Sequence, residues 1–253
     1  MKGVRLRWLT NACFEIRCCD QVLVTDPCLT LTPCKLFTAQ SFEKIDSVLI
    51  SHNHWDHVSD LPAVYEKYNP QIFCGFMSAD KLLRWFHANP SRAYPMFPNQ
   101  EINMGPYKIK LLYNRHLDIG MKWGLNVPGK YTFWDNYPGL KEVSDDGGLE
   151  MSSYLITFEN GVRILFWGGA TGYDQIDALK GLNPDIAIMQ YSKQRIEKLV
   201  PIIEAVNPQV LLPHHHDLRK PFEDPDVQNN LQLLREAYKG ELYCPKNGEW
   251  LEF

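Results

Sequence analysis

The sequence predicts an α/β fold in which sheets carry helices on their outer faces. Three observations support this. Short β-rich runs open each half of the chain, strand and helix patterns then alternate, and no linker-like stretch separates the halves. The expected unit is a single domain over residues 1–253, with 45% hydrophobic and 22% charged residues, close to the globular average.

Taken in order, Val4 to Leu9, Cys13 to Arg17 and Val22 to Thr25 read as strands separated by turn-like breaks. Ser47-Val48-Leu49-Ile50 is an apolar strand that ends directly in a histidine-rich segment. Leu61 to Tyr68 has helical spacing and stops before Asn69-Pro70. Gln71 to Gly75 is the next strand, Ala79 to Ala88 the next helix, and Tyr107 to Tyr113 a strand running into Asn114-Arg115-His116. From Leu117 to Glu150 the pattern breaks. Gly, Pro, Asp and Asn mix there with Trp123, Tyr131, Phe133, Trp134 and Tyr137. So long an irregular segment is functional or disordered in most compact domains. Its aromatic content points to an ordered lid or pocket wall, against a surface insertion with its own small cluster.

Regular structure resumes with a hairpin, Ser153 to Glu159 and Val162 to Phe166, turning at Asn160-Gly161. Asp174 to Leu182 reads as helix, Asp185 to Met189 as a buried strand and Arg195 to Val206 as helix. Gln209 to Leu212 is a strand ending at Pro213-His214-His215-His216. Val227 to Tyr238 is a last helix before a terminal strand.

Bulk properties exclude several functions. A net charge of -4 supplies no broad cationic face for nucleic acid. No apolar run reaches about 18 residues, so no integral membrane segment is expected, and Met1 to Trp8 lacks the apolar core of a signal peptide. The seven cysteines form no Cys-x-x-Cys pair, and Cys18-Cys19 are adjacent, a poor geometry for a disulfide. Reduced thiols in a cytoplasmic protein follow.

Chemistry concentrates in His52-Asn53-His54-Trp55-Asp56-His57. On an extended backbone His52 and His54 project to the same side and can grip one ion. Asp56 and His57, further round the turn, face a neighbouring position for a second ion or a water. Imidazole and carboxylate suit zinc, manganese or iron. A polar helix start capped by Ser51 or Asp56 is the plain alternative, but three of only eight histidines fall within this hexad.

The hexad, Thr25-Asp26-Pro27 upstream and the strand-end histidines downstream resemble the metallo-β-lactamase superfamily of metallohydrolases. So do Thr10-Asn11-Ala12-Cys13-Phe14-Glu15-Ile16 and the approach strand Ile45 to Ser51. The wording Asn53-His54-Trp55-Asp56-His57 and the Trp-rich insertion after His116 are most similar to its L-ascorbate-6-phosphate lactonase and N-acyl-phosphatidylethanolamine phospholipase D branch. The resemblance implies a four-layer αβ/βα sandwich with the metal site at one edge of the two sheets. It implies one ion, zinc first, on His52, His54 and His116, and a second on Asp56, His57 and one of His214, His215 and His216. Pro213-His214-His215 and His215-His216-Asp217 both favour His215, with Asp217 or a carbonyl holding its other ring nitrogen.

One position departs from the family. An aspartate that bridges the ions would stand in Gly168-Gly169-Ala170-Thr171-Gly172, where Ala170 cannot coordinate. The site then holds one ion, holds two bridged by water, or recruits Asp174 or Glu150. The implied reaction is attack by metal-bound hydroxide on a small ester, lactone or phosphodiester. With one ion only, Asp56 becomes the general base, and His216 or His214 protonates the leaving group. Arg115, Lys122 and Lys130 could meet a phosphate. The alternatives are a catalytically impaired, metabolite-binding member and, further off, a nuclease; a homo-oligomer stays open. Asp26 reads as a turn residue or a neighbour of the ligands, His87 as exposed, and Trp55 as either pocket lining or packing.

Overall fold

A computed structural model of the chain describes residues 3–32, 34–116, 132–135, 137–169, 176–191, 196–215 and 225–253, with the backbone alone at 132–133 and 225–230. The first three strands form where expected: β1 (Val4–Thr10), β2 (Cys13–Cys18) and β3 (Gln21–Thr25). Cys19 and Asp20, both at positive φ (50° and 58°), turn β2 into β3, and both neighbouring thiols are free. Next come β4 (Ser47–Leu49), α1 (Trp55–Val58), α2 (Leu61–Tyr68), β5 (Gln71–Gly75) and α3 (Ala79–Trp85). The third helix ends three residues before the expected Ala88, where His87 takes a left-handed φ of 53° ahead of Asn89-Pro90.

In the first half of the chain two short strands escaped the sequence reading, β6 (Ala93–Met96) and β7 (Glu101–Asn103). Pro95 tells against a strand in sequence, and it is tolerated because β6 is a sheet edge. After β8 (Tyr107–Asn114), the segment expected to be irregular contains α4 (Thr132–Asp135) and α5 (Leu140–Asp145). Then follow β9 (Met151–Phe158), β10 (Arg163–Trp167), β11 (Ile186–Gln190), α6 (Ile196–Val206), β12 (Val210–His214), α7 (Pro225–Ala237), β13 (Glu241–Leu242) and β14 (Trp250–Glu252). The helix expected over Asp174 to Leu182 is, in its described part, a 3-10 turn at Ile176–Leu179, closed by Gly181 at φ 82°.

The strands form two seven-stranded sheets, β14-β1-β2-β3-β4-β5-β6 and β13-β12-β11-β10-β9-β8-β7. Each is antiparallel over four strands and parallel over the rest, the parallel part beginning at β3–β4 in one and at β10–β11 in the other. Period-two alternation sorts their side chains. Leu49, Phe73, Ile109, Ile156, Phe166, Ile188 and Leu212 meet in the core between the sheets. Val48, Ile72 and Cys74 instead turn outward onto Leu61, Val64, Leu82 and Leu140. On the other side Leu165, Trp167, Met189 and Leu211 pack against Leu199, Ile202, Val206 and Leu234. Helix, sheet, sheet and helix make the expected four-layer αβ/βα sandwich. The β1–β2 turn, the start of β9 and the ends of β3, β4, β5, β8, β10 and β12 share one edge.

Candidate metal centre

At that edge, β3 and β4 place Asp26 and Ser51 side by side. Asp26 is fully buried at φ 34°, and its backbone N–H donates to Leu49 O at 3.0 Å, closing the ladder. Asp26 Oδ1 accepts from Ser51 N at 2.7 Å and Oδ2 from Ser51 Oγ at 2.5 Å. Ser51 Oγ, committed as a donor, accepts from His52 Nδ1–H at 2.9 Å, which leaves the lone pair of His52 on Nε2. His57 Nδ1–H donates to Asp26 Oδ2 at 2.7 Å and likewise presents Nε2. Asp26 therefore acts as the sequence suggested, as a neighbour that sets the ring tautomers.

His54 has an extended backbone (φ −62°, ψ 148°), and α1 begins at Trp55 with Asp56 and His57 in its only turn. His116 follows β8, and the rings of His52, His54 and His116 form a triangle with centroids 4.7, 4.9 and 4.5 Å apart. One ligand-capable atom from each lies within 4.8 Å of the other two, and the same holds for Asp56, His57 and His215. His215 Nε2 lies 3.3 Å from His57 Nε2 and 3.3 Å from Asp56 Oδ2. Rings of His52 and His57, 3.9 Å apart, join the two groups.

His214, the rival to His215, is turned inward. Its ring stacks on Phe166 and meets Phe14 edge-on, and Nε2–H donates to Trp167 O at 3.3 Å. His215 takes a left-handed φ of 67°, which breaks the strand alternation and aims its ring at Asp56. Glu150 belongs to neither group; its Oε1 accepts from Ser78 N and Ser78 Oγ, both at 2.7 Å. Trp55 is half-buried against the cluster beneath α2, the packing reading, and His87 is exposed. Arg115 is exposed beside His116. His216, Ala170, Asp174, Asp217, Lys122, Lys130, Trp123 and Tyr131 lie outside the described residues.

Sequence reasoning missed three supports. Asn11, at φ 49° in the β1–β2 turn, donates through Nδ2 to Asp56 O, and its own O accepts from His215 N at 3.1 Å. One turn thus holds two members of one group. Gly147 lies against His54, where an added Cβ would stand 2.2 Å from the ring. Asn114 donates to Ser153 Oγ at 3.0 Å and accepts from Arg115 N at 2.7 Å, steering the chain toward His116. Asn11 had a signal, an Asn between strand runs; Gly147 and Asn114 had none.

The electrostatics fit a divalent cation. Burial, then the neighbouring histidines, push His52 well below the ordinary imidazole range. Burial takes His54 down to about 3 despite Asp56. Both are therefore neutral, the state that ligates. Burial opposes charge on Asp56, but His57 and the hydrogen bond from His215 outweigh it and hold the carboxyl below its usual range. His57 is pulled down by burial and raised further by Asp56 and Asp26, so this position draws positive charge. Asp56 Oδ1 is buried with no hydrogen-bond partner among the described residues, a cost an ion would remove.

Comparison with known proteins agrees with this geometry. A family model described as a β-lactamase superfamily domain matches residues 7–216. A UPF0173 metal-dependent hydrolase of Desulfitobacterium hafniense (strain Y51) is 29% identical over 254 residues, covering 97% of this chain and 98% of that protein. Igni18, a metallo hydrolase from the archaeon Ignicoccus hospitalis, superposes with a TM-score of 0.72 at 18% identity, over 99% of this chain and 98% of its own. The metallo-β-lactamase fold protein YhfI from Bacillus subtilis gives 0.65 at 15% identity, over 99% and 100%. Most of the chain is matched by the family model and both sheets follow its architecture: the chain belongs to the β-lactamase superfamily and carries the metallo-β-lactamase fold.

Proposed function

We propose that this chain is a metal-dependent hydrolase acting on a small ester, lactone or phosphodiester. The observation that carries the reading is the meeting of two ligand groups, His52/His54/His116 and Asp56/His57/His215, at one sheet edge. Zinc is the first candidate ion, with manganese or iron the alternatives. The names of the Desulfitobacterium and Ignicoccus proteins, a metal-dependent hydrolase and a metallo hydrolase, support the same class.

A divalent ion bound there would polarise the scissile group and lower the pKa of a coordinated water from about 15.7 to about 7. The chain's own residues do the rest. His52 and His57 offer Nε2 because Ser51 and Asp26 occupy Nδ1. If the second group holds an ion, Asp56 is a ligand. If it does not, Asp56 Oδ1 is the buried atom able to take the proton of the attacking water. His216 is the proposed proton donor to the leaving group.

The deciding experiment measures metal content and turnover together. Protein purified without added metal is analysed for zinc, manganese and iron, then assayed on lactones, thioesters and phosphodiesters with each ion. Turnover that disappears in His52→Ala supports the hydrolase. Bound metal with no turnover on any ester or phosphodiester supports the impaired, metabolite-binding reading suggested by Ala170. Among the described residues no helix is long and apolar enough to cross a membrane. None of the seven cysteines is joined in a disulfide, which supports a small-molecule enzyme of a reducing compartment such as the cytoplasm.

A further inference from the structure

The metal centre accounts for the reacting end of a substrate and leaves its remainder unassigned. Eight large apolar side chains are exposed among the described residues. Five of them, Phe76, Met77, Phe97, Tyr113 and Leu149, fall at or just beyond strand ends on the edge that carries the histidines. Scattered exposed apolar residues need no explanation, but a cluster does. Phe76 and Phe97 stack with centroids 4.1 Å apart, yet keep 50% and 53% of their surface open. Phe76 N donates to Met96 O at 3.0 Å, which holds the tips of β5 and β6 together.

These tips are tied to the ligands. β5 and β6 are the two strands beyond β4, after whose end His52 follows, so the aromatic pair stands at the tips of the next two strands along the same edge. Asn53, between His52 and His54, donates to Ser78 O at 2.8 Å. Ser78 in turn donates to Glu150, whose carboxyl group packs on Gly75. Leu149 follows Gly147, which lies against His54, and Tyr113 precedes His116 by three residues. The apolar cluster thus borders the group His52/His54/His116, whereas His215 lies toward the other side of the sandwich, at the end of β12.

We propose that Phe76 and Phe97 form a shelf for the apolar arm, acyl or aryl, of the substrate whose scissile group sits at the histidines; the inference rests on the hydrolase reading above. An arm crossing two strand spacings reaches roughly 10 Å. Half-open aromatic faces supply large apolar area without fixing direction, which suits a chain or ring.

The test is a series of p-nitrophenyl esters from acetyl to octanoyl, assayed with added zinc or manganese. In the wild type, kcat/KM is expected to rise about two- to fourfold per methylene laid on the shelf. The octanoyl-to-acetyl ratio is expected to fall at least tenfold in Phe97→Ala and in Phe76→Ala. Leu233→Ala, an exposed apolar residue on α7, should keep it. An unchanged ratio in both Phe variants overturns the shelf, as does a wild type without chain-length preference. A second measurement separates this inference from the first. Calorimetry reads octanoate against acetate binding to the metal-free protein. Octanoate binding lost in Phe97→Ala, with no ester turned over, keeps the shelf and sinks the hydrolase; turnover without octanoate binding does the reverse. A dimer in sedimentation that Phe97→Ala dissolves and octanoate does not compete would assign the patch to a second copy and overturn the proposal.

Discussion

Asp26 shows what one side chain can organise. It coordinates nothing in either ligand group, yet both its oxygens are engaged, by Ser51 and by His57 Nδ1–H. Asp26→Ala should lower zinc affinity about 10- to 100-fold, read by competition with a chromophoric chelator, because His57 loses the partner that fixes its tautomer. An unchanged affinity would mean that the ring is held by packing alone. His54 makes a pH prediction. Its folded pKa of about 3 lies below the unfolded value of about 6.5, so between these the unfolded chain binds the extra proton. This contribution is complete above about pH 6.5 and is lost as pH falls toward 3. The metal-free protein should therefore lose stability on acidification, by up to about 1.4 kcal/mol per pH unit. His54→Gln should flatten that slope in urea titrations at pH 7.5, 6 and 5; an equal slope would place the acid sensitivity elsewhere.

At the scale of elements, α5 has more to do with the metal centre than its place in an irregular-looking segment implies. Leu140 and Val143 bury it against the helices of the first sheet. Ser144 Oγ accepts from Trp55 N at 3.2 Å, and Gly147 then meets His54. On the opposite face, α6 buries Leu199 and Ile202 against the second sheet. Leu140→Ala and Leu199→Ala should each cost about 2–5 kcal/mol in denaturant melts. Only Leu140→Ala should also weaken zinc binding. Equal affinities in the two variants would show that α5 is a passive cover. Alternation marked nearly every strand correctly, and β6, β7 and β13 were missed because two to four residues, one of them a proline in β6, carry too little pattern.

For the whole molecule, the six proposed ligands come from three places in the chain that meet only once the sheets stack. Loading the site should therefore report on the whole fold. With free zinc at about 100 times Kd, the protein should gain about 2.7 kcal/mol of stability, seen as a rise in Tm that a chelator reverses. No rise would mean that the groups do not bind an ion in the folded state.

The sequence by itself determined the α/β class, most strand and helix positions, and the hexad at the end of β4. These are local: alternation, helical spacing and four ligand-capable residues within six need no distant partner. The sequence favoured His215 among three adjacent histidines, and tertiary structure set its ring beside Asp56 and His57 while turning His214 inward. Tertiary structure alone brought Asn11 onto Asp56 and His215, and Gly147 onto His54. Each depends on residues far apart in the chain, and the placing of His215 also on a left-handed φ there that no residue pattern announces. Side-chain chemistry can be read along the chain, whereas the direction a side chain takes at a strand end is set by what the opposite sheet places there.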